Sequence, residues 1–490
     1  MTKEPLAPLF SARSIAFIGA SKDPSKWGFL VLKHLLDGGF PGRVYPINPK
    51  EQKILNLKVY RTLKDLPETP DLAVIIVPPP AVPGAIQECL AKGTKAAIII
   101  TAGFAETGRD GARLQEEIVD LARKGGMGFV GPNCNGIMSP WHKQYIQFPG
   151  FFVPPGPIGV IAQSGNVVDA LALQIRMRGF GCSACIASGN EALLHCEDYL
   201  EYLGEDPHTR VILAYLEGFK DGKRFLKVAR EVNRKKPLIV LKAGKTQAGA
   251  RAAASHTAAM AGEDPVFEAV CRQSGIIRVQ DLDELVEVGL AFLGQPLPVG
   301  RRVGIVTAGG GWGVLAADAC ADLGFEVVKL PETLIRELDR ILPPWWSRGN
   351  PVDLVAGTSA ENIFQAVEWV LKCPKVDALL FLSIMPALRL GSFDLPNDSS
   401  EREGWNRRMI EAVIEVMTRF HELARRYQKP VLAASEYMWA DHVERAEINH
   451  ALGRHGLVCY HLPGQAARAL QALYNYNAFL GKADEAMKAV

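Results

Sequence analysis

The sequence is missing the features that mark a membrane protein or a nucleic-acid-binding protein. It has no stretch of about 18 apolar residues, and its N-terminal segment, MTKEPLAPLFSARS, has no apolar run of signal-peptide length. Its formal net charge is only +2, so no overall field favours nucleic acid as a partner. These absences predict a cytoplasmic protein with neither a membrane nor a nucleic-acid partner.

Cysteine is sparse and does not form metal-binding spacings. Nine cysteines are spread from Cys89 to Cys459, which is typical of reduced thiols in the cytoplasm. Cys182 and Cys185 form one CxxC pair, and no second pair completes a four-cysteine metal site. The pair lies in an apolar run, FGCSACIAS, which indicates strand packing, with a redox or metal role as the alternative. No metal site is predicted.

The length of 490 residues predicts about three domains, and 48% hydrophobic with 22% charged residues is ordinary for a globular protein. In residues 1–145, apolar runs of strand length alternate with helical stretches, and each run ends in Gly, Pro or Asn. This alternation predicts a doubly wound α/β domain with a parallel sheet. Such sheets bind ligands at the carboxyl ends of their strands, where these punctuating residues cluster.

The loop after the first apolar run, SIAFIGAS, is not a dinucleotide fingerprint. Lysines stand where GxGxxG would place glycine, and the second run, VYPINPK, ends in Lys50 instead of an acidic residue. A lysine at that point favours a phosphorylated ribose over a ribose diol. Lys22, Lys26 and Lys50 together fit a 3′-phospho-ADP group such as that of coenzyme A. The alternative is three surface lysines beside an ordinary Rossmann-like loop. An NAD-dependent dehydrogenase is disfavoured.

Residues 150–295 repeat the strand–helix plan and predict a flavodoxin-like parallel sheet. The run ending at Ala162 breaks at QSGN into a helix, and a turn that feeds a helix N-terminus can bind an anion. A later run, VILAYL, places Glu217 at its end. Another, PLIVLKAG, leads into the stretch RAAASHTAAMAG, which contains His256.

His256 stands among small residues that leave its ring uncovered, and Lys242 and Lys245 bring positive charge nearby. This setting suits an exposed nucleophile that takes up an anionic group; a loop histidine with a structural hydrogen bond is the alternative. Glu217 fits the role of a carboxylate that accepts one imidazole N–H and leaves the other nitrogen as the nucleophile. The alternative for Glu217 is a solvated loop acid. His195 is interpreted as a surface or packing histidine.

Residues 298–490 repeat the plan once more. A strand, a glycine-rich turn and a helix are predicted in RRVGIVTAGGGWGVLAADACADLGF, and VDALLFLSIM and KPVLAAS are further strand-like runs. These runs predict a second flavodoxin-like domain, in which the polar segment 394–405 is expected to be a mobile loop. The chain contains no Walker A sequence, GxxxxGK[ST].

Five motifs in register carry a resemblance to a known family. In this order, FIGAS, GGFPGRVYPINPK, DLAVIIVPPPAV, TAGFAETG and GPNCNGI resemble the CoA-binding domain of the NDP-forming acyl-CoA synthetases, the superfamily of succinyl-CoA synthetase and archaeal-type ADP-forming acetyl-CoA synthetase. SHTAAMAG is similar to the family's phosphohistidine motif, and GNPVDL matches a motif of its third domain. The resemblance, which covers essentially the whole chain, implies a Rossmann-like CoA-binding domain followed by two flavodoxin-like domains, the third of which docks a partner.

The resemblance also implies the site residues. His256 would be phosphorylated, with Glu217 as its carboxylate partner. The residues expected to line the CoA site are Gly19, Ser21, Lys22, Lys26, Lys50, Val77, Pro78, Pro79, Thr101, Ala102 and Asn133. The residues expected to hold the phosphoryl group are Gln163, Ser164, Gly165, Asn166, Gly189, Asn190 and Glu191.

The implied function is that of the α subunit of an ADP-forming acyl-CoA synthetase (acyl-CoA + ADP + phosphate = acid + ATP + CoA). Because no ATP-grasp domain is found, a separate ATP-grasp β subunit is expected to bind ADP or ATP with Mg, in an α₂β₂ assembly. The sequence does not identify the acyl group, and the residues that select it are expected near Asn135, Asp169 and the partner subunit. Three departures from the family pattern, Asn135, Ala258 and Ala308, keep open the alternative of a non-catalytic regulatory subunit that binds CoA or acyl-CoA.

Overall fold

The structure, a computed structural model, describes residues 6–148, 150–249, 251, 264–355, 358–383, 399–435 and 442–488. The chain divides into two compact units. The first consists of Met1–Ile175 and Gly181–Leu282, and the second of Arg176–Phe180 and Asp283–Val490. None of the described helices combines the length and apolar composition that a membrane span requires.

The first unit contains two large sheets and one small one, and the large sheet nearer the N-terminus is parallel. Its strands are β1 (Ser14–Ile18), β2 (Arg43–Ile47), β5 (Leu72–Ile75), β6 (Ala96–Ile99) and β7 (Gly128–Val130), with β3 (Lys53–Ile54) and β4 (Leu57–Lys58) as a separate antiparallel pair. Its helices are α1 (Ala7–Ser11), α2 (Trp27–Asp37), α3 (Val82–Lys92) and α4 (Arg109–Gly125). The strand order is β2-β1-β5-β6-β7, so the winding reverses between β1 and β5, where such sheets bind ligands.

The turns at this reversal point approach each other so closely that only glycine fits. A Cβ on Gly19, whose φ is +95°, would lie 2.0 Å from the carbonyl oxygen of Ile76. A Cβ on Gly28, in the first turn of α2, would lie 2.1 Å from the carbonyl oxygen of Gly19. Both obstacles are backbone atoms, which cannot rotate away as a side chain can. The two glycines therefore allow the loop after β1 to pack against both α2 and the end of β5.

This packing predicts opposite effects for two helix glycines. Gly28→Ala is expected to lower the free energy of unfolding by about 2 kcal/mol, because the new methyl group must displace backbone. The matched control is Gly84→Ala in α3, where a Cβ meets no atom within 4 Å. Alanine should stabilise that position by roughly 0.5–1 kcal/mol. Urea denaturation of the two variants checks the prediction, and equal stabilities would show that the β1 and α2 backbones are not in contact.

The second sheet of the first unit has seven strands. These are β8 (Gly136–Ser139), β9 (Gln144–Gln147), β10 (Pro155–Ala162), β11 (Cys182–Ala187), β12 (Val211–Leu216), β13 (Leu238–Lys242) and β14 (Ile277–Val279). They lie in the order β14-β13-β12-β10-β11-β8-β9, with β8 and β9 antiparallel to their neighbours. The accompanying helices are α5 (Gly165–Met177), α6 (Cys196–Glu205), α7 (Gly222–Asn233) and α8 (Asp264–Ser274).

Two details of this sheet bear on the sequence-based expectations. Every residue of β11 is buried, which confirms strand packing for Cys182 and Cys185. The hairpin of β8 and β9 belongs to the first predicted block of the sequence, yet it hydrogen-bonds to β11 of the second sheet. The parallel strands have the flavodoxin-like order, and their reversal point lies between β10 and β12.

The second unit is built on a third parallel sheet. Its strands are β15 (Arg302–Thr307), β16 (Glu326–Val327), β17 (Val352–Asp353), β18 (Ala378–Leu382), β19 (Val431–Ala434) and β20 (Cys459–Tyr460). Its helices are α9 (Leu282–Gly294), α10 (Gly310–Asp322), α11 (Glu332–Leu338), α12 (Ala360–Lys372), α13 (Ser399–Tyr427), α14 (His442–Arg454) and α15 (Pro463–Lys488). The main strand order is β16-β15-β18-β19-β20, with β17 paired to β15.

The prediction of a polar loop at residues 394–405 is wrong for the second half of that segment. Residues 394–398 lie outside the described residues, but α13 begins at Ser399 and continues through Trp405. The sequence SSERE explains the difference, since serine favours the start of a helix and acidic residues in a first turn interact favourably with the helix dipole.

Candidate functional site

The residues predicted to line the CoA site lie along one edge of the first sheet. Each residue of the group follows the carboxyl end of a strand, and parallel strands present these ends on the same side. The turn after β1 contains Gly19, Ser21, Lys22 and Lys26, and Lys50 follows β2. The turns after β5, β6 and β7 contain Val77, Pro78, Pro79, Thr101, Ala102 and Asn133.

Hydrogen bonds between neighbouring turns hold this edge together. Asn48 donates its amide Nδ2 to the carbonyl oxygen of Ala20 at 2.8 Å, and its Oδ1 accepts from the backbone N–H of Lys50 at 2.8 Å. Thr101 donates its hydroxyl to the carbonyl oxygen of Val77 at 2.8 Å. These bonds join the turn after β1 to the turn after β2, and the turn after β5 to the turn after β6.

The three lysines of the edge are exposed to solvent. The Lys22 ammonium lies 3.1 Å from the carboxylate of Glu51, which orients it across the edge. Trp27 directly follows Lys26 in the chain and is 54% exposed. Its ring packs against Phe148, with 4.0 Å between the ring centroids. Neither Asn48 nor Trp27 is singled out by the sequence reasoning. An asparagine directly after a strand and before proline is a turn signal that could have identified Asn48.

At the reversal point of the second sheet, one buried side chain joins three strand ends. Gln163, the residue after β10, accepts at Oε1 from the backbone N–H groups of Glu217 and Gly218, at 2.5 and 3.1 Å. Its Nε2 donates to Glu191 Oε2 and to the carbonyl oxygen of Gly218, both at 3.0 Å. Glu191 lies in the turn after β11, and Glu217 and Gly218 follow β12. The Gln163 amide therefore uses all of its main hydrogen-bonding capacity to fix this edge.

Glu217 is buried, with 5% of its surface exposed, so the alternative of a solvated loop acid is excluded. Burial and the adjacent Glu217 carboxylate raise the pKa of Tyr215 to about 12. Lys242, only 3% exposed, donates to the carbonyl oxygen of Glu217 at 2.8 Å and to that of Ala243. Burial lowers the pKa of Lys242. Its charge thus stabilises the turn after β12 from inside the protein.

The turn after β11 bridges the two sheets. Asn133, from the edge of the first sheet, donates to Asn190 Oδ1 at 3.1 Å. Asn190 in turn donates to Glu106 Oε2 at 2.6 Å and to Gln115 Oε1 at 3.0 Å. A Cβ on Gly189 would lie 2.5 Å from the carbonyl oxygen of Asn133, so glycine is required for this approach. The two edges are therefore joined by hydrogen bonds and by a close backbone approach.

The side chains of Asn190 and Glu191 form hydrogen bonds to other protein groups. The backbone N–H groups that begin α5 are therefore the donors that an anion could use at this edge. The first N–H groups of a helix have no partner within the helix, and its dipole favours negative charge there. Gly165 begins α5, Ser164 is partly buried and Asn166 is exposed. This turn can therefore hold a phosphoryl group at the reversal point.

The buried carboxyl group of Glu191 predicts a pH dependence. Burial raises its pKa from 4.5 to about 7, although Ser188 and Gln163 both donate to it. The folded state then holds a proton that the unfolded state releases, so stability falls as pH rises from about 4.5 to 7 and stays lower above that. We expect a loss of about 3 kcal/mol over this range.

Thermal denaturation between pH 4 and pH 8 measures this loss. Glu191→Gln should remove that part of the pH dependence, whereas the exposed Glu205→Gln should leave the wild-type profile unchanged. Parallel profiles for wild type and Glu191→Gln would show that Glu191 has an ordinary pKa.

The predicted nucleophile, His256, lies outside the described residues, as does the rest of the segment 252–263. Lys245 is among the described residues. In the sequence the segment of His256 connects β13, which ends at Lys242, to α8, which begins at Asp264. Ala258 also lies outside the described residues, whereas Ala308 directly follows β15. His195 precedes α6 and donates its backbone N–H to Asp198 Oδ2 at 2.8 Å, which supports its interpretation as a packing residue.

Comparisons with known proteins agree with this architecture. A family model described as a CoA binding domain matches residues 13–140. A succinyl-CoA ligase like flavodoxin domain matches residues 155–292, and a ligase-CoA domain matches residues 303–386. The three matches follow each other in the order that the sequence motifs indicate.

Individual relatives extend the match to nearly the whole chain. The α subunit of acetate–CoA ligase (ADP-forming) II from Pyrococcus furiosus is 39% identical over 95% of this chain and 96% of its own. An acetate–CoA ligase (ADP-forming) from Methanocaldococcus jannaschii is 41% identical over 71% of this chain, but only 49% of that relative is covered. The structure of an acetyl-coenzyme A synthetase 1 from Candidatus Korarchaeum cryptofilum, in complex with phosphate and ADP, superposes with a TM-score of 0.83. It is 35% identical, covering 98% of this chain and 99% of that one.

A CoA-binding sheet followed by two ligase-type flavodoxin-like domains defines a class of acid–thiol ligases. With its identity to the Pyrococcus α subunit, the chain belongs to the family of ADP-forming acyl-CoA ligases, within the NDP-forming acyl-CoA synthetases. The resemblance drawn from the sequence motifs and the predicted fold class are both confirmed.

Proposed function

We propose that the chain is the α subunit of an ADP-forming acyl-CoA synthetase that works through a phosphohistidine at His256. The observation that carries this proposal is the bridge from Asn133 to Asn190, which joins the edge of the CoA-type sheet to the edge at the start of α5. A thioester held at one edge and a phosphate held at the other are then close enough to react.

The reaction proceeds through two intermediates. Phosphate attacks the thioester carbonyl, the C–S bond breaks, and CoA leaves as its thiolate, which gives an acyl phosphate. His256 then attacks the phosphorus atom, the carboxylate leaves, and phospho-His256 remains. Finally ADP takes the phosphoryl group from His256 and becomes ATP. Each step breaks one bond as it forms another, and the sum is acyl-CoA, ADP and phosphate giving acid, ATP and CoA.

The described residues supply positioning and charge for these steps. The backbone N–H groups of Ser164, Gly165 and Asn166 at the start of α5 stabilise the phosphoryl oxygens. Glu217 accepts one N–H of the His256 ring and stabilises the ring once it is charged. The turn from Gly189 to Glu191 closes the other side of this site.

The CoA site is assigned to the edge of the first sheet. Lys22, Lys26 and Lys50 pair with the phosphate groups, since all three are exposed beside strand ends. The turns after β5 and β6, from Val77 to Pro79 and at Thr101 and Ala102, line the path of the pantetheine. Asn133 lies at the thiol end, where it also bonds to Asn190.

The nucleotide requires a partner. The alignment with the Methanocaldococcus jannaschii ligase covers 49% of that relative. We assign ADP or ATP, with Mg, to an ATP-grasp β subunit that completes an α₂β₂ assembly in the cytoplasm. The nine cysteines, all buried free thiols, suit that reducing compartment.

Labelling of the purified chain tests the proposal. The chain is incubated with an acyl-CoA and labelled phosphate, with and without the candidate β subunit. Label that resists base, is lost in acid and passes to ADP only when the β subunit is present supports a phosphohistidine. Absence of label from every acyl-CoA, with CoA still bound, would instead support the regulatory CoA-binding alternative.

A further inference from the structure

A buried polar cluster lies beside the proposed reaction site. Asn135, between β7 and β8, donates its Nδ2 to Asp169 Oδ2 at 2.7 Å. Gln147, the last residue of β9, donates its Nε2 to the other oxygen, Asp169 Oδ1. Asp169 belongs to α5, one turn after Gly165, so the cluster joins the β8–β9 hairpin to the helix that begins at the proposed phosphate site.

The two amides in this cluster have unused acceptors. Asn135 is 6% exposed and Gln147 is fully buried, and neither Asn135 Oδ1 nor Gln147 Oε1 has a hydrogen-bond donor among the described residues. Both amides give their N–H groups to Asp169, so each oxygen faces away from that carboxylate. Buried acceptors without donors are costly and are uncommon in folded proteins. Two of them in one cluster indicate a bound group that donates hydrogen bonds.

The position of the cluster relates this group to the acyl chain. Asn135 follows Asn133, at the proposed thiol end of the CoA site, by two residues. A Cβ on Gly165 would lie 2.8 Å from Asn135 Cβ, so Asn135 packs directly against the first turn of α5. In the proposed reaction the acyl carbon passes from the CoA thiol to a phosphate held at that turn. The acyl chain must therefore lie beside Asn135.

We infer that this site selects acyl groups that carry a hydroxyl group, whose O–H donates to Asn135 Oδ1. The inference rests on the proposed function and specifies its substrate class. A purely apolar acyl chain would leave Asn135 Oδ1 unpaired. An acyl chain ending in a carboxylate would place a second negative charge and further acceptors beside Asp169.

The direct test compares matched acyl-CoA pairs on the wild-type chain. Propionyl-CoA is compared with 3-hydroxypropionyl-CoA, and butyryl-CoA with 3-hydroxybutyryl-CoA and 4-hydroxybutyryl-CoA. The readout is the second-order rate constant for incorporation of labelled phosphate into the chain. Measurements at pH 8 keep Asp169 ionised, because burial raises the pKa of its carboxyl to about 7. We expect at least one hydroxyacyl-CoA to exceed its unsubstituted partner by about 100-fold, since the unsubstituted chain leaves one buried acceptor unpaired.

Asn135→Leu removes one of the acceptors and should reduce this preference to roughly tenfold or less, mainly by slowing the hydroxylated substrate. CoA binding and the melting temperature of the variant show whether it folds. The matched control is Gln87→Leu, which changes an exposed amide of α3 outside the cluster and should keep the ratio between the paired substrates.

Two failures can be told apart. If the acyl-CoAs label the chain but no hydroxyacyl-CoA is preferred over its partner, the hydroxyacyl inference is overturned and the proposed function stands. If no acyl-CoA of either kind labels the chain, the proposed function is overturned and the inference falls with it.

Discussion

His256→Ala is expected to lose at least about 10⁴-fold in the rate of acid formation from acyl-CoA and phosphate, with ADP and the β subunit present. The proposed route passes through a covalent phosphohistidine, and alanine offers no atom that can accept the phosphoryl group. Binding of CoA should be unchanged, because the residues of the proposed CoA site lie at the edge of the other sheet. Rate measurements on the reconstituted enzyme, with calorimetric titration of CoA, check both expectations.

The matched control is His195→Ala, which removes the other histidine close to this edge. His195 is half-buried before α6, and its described hydrogen bond to Asp198 uses its backbone N–H, which alanine keeps. Its rate should stay within about threefold of wild type, as for substitutions that remove no reacting group. A large loss of rate in His195→Ala, with activity retained in His256→Ala, would identify His195 as the nucleophile.

Gln163→Met is expected to lower the free energy of unfolding by about 3–5 kcal/mol and to reduce turnover with it. Methionine keeps the length of the side chain but neither accepts from the Glu217 and Gly218 N–H groups nor donates to Glu191. Two buried backbone donors and a buried carboxylate then lose a partner, each at a cost of about 1–3 kcal/mol. Urea denaturation monitored by circular dichroism measures the loss.

Gln87→Met is the control for this substitution. Gln87 is exposed on α3, where methionine is also a good helix former, so its effect on stability should stay within about 0.5 kcal/mol. Equal stabilities for Gln163→Met and Gln87→Met would show that the three strand ends are not joined through Gln163.

Local sequence patterns predicted much of the fold and the strand ends that form the candidate site. Apolar runs that stop at Gly, Pro or Asn identified the strands of the first sheet, and therefore the turns that form its edge. The same reasoning placed Gln163 and Glu217 at the ends of strands, because both directly follow apolar runs. The proposed roles of the individual site residues stay predictions.

The parts that were not predicted depend on pairings between distant residues. Asn190 bonds to Glu106, 84 residues away in the chain, and no periodicity or turn signal specifies such a partner. The pairing of β8 with β11 is equally non-local, so the sequence does not show which sheet the hairpin joins. The error at Ser399 has a different cause: polar composition was taken as a loop signal, whereas serine and acidic residues also begin helices.

The hairpin of β8 and β9 determines how members of this family can be recombined. It is encoded with the first sheet but completes the second, and it carries both Asn135 at its entrance and Gln147 at its end. A chimaera joined after residue 147 would combine the hairpin of one parent with the β11 and α5 of another. A junction before Gly131 keeps these elements from a single parent, and the acyl preference is then inherited with the second sheet.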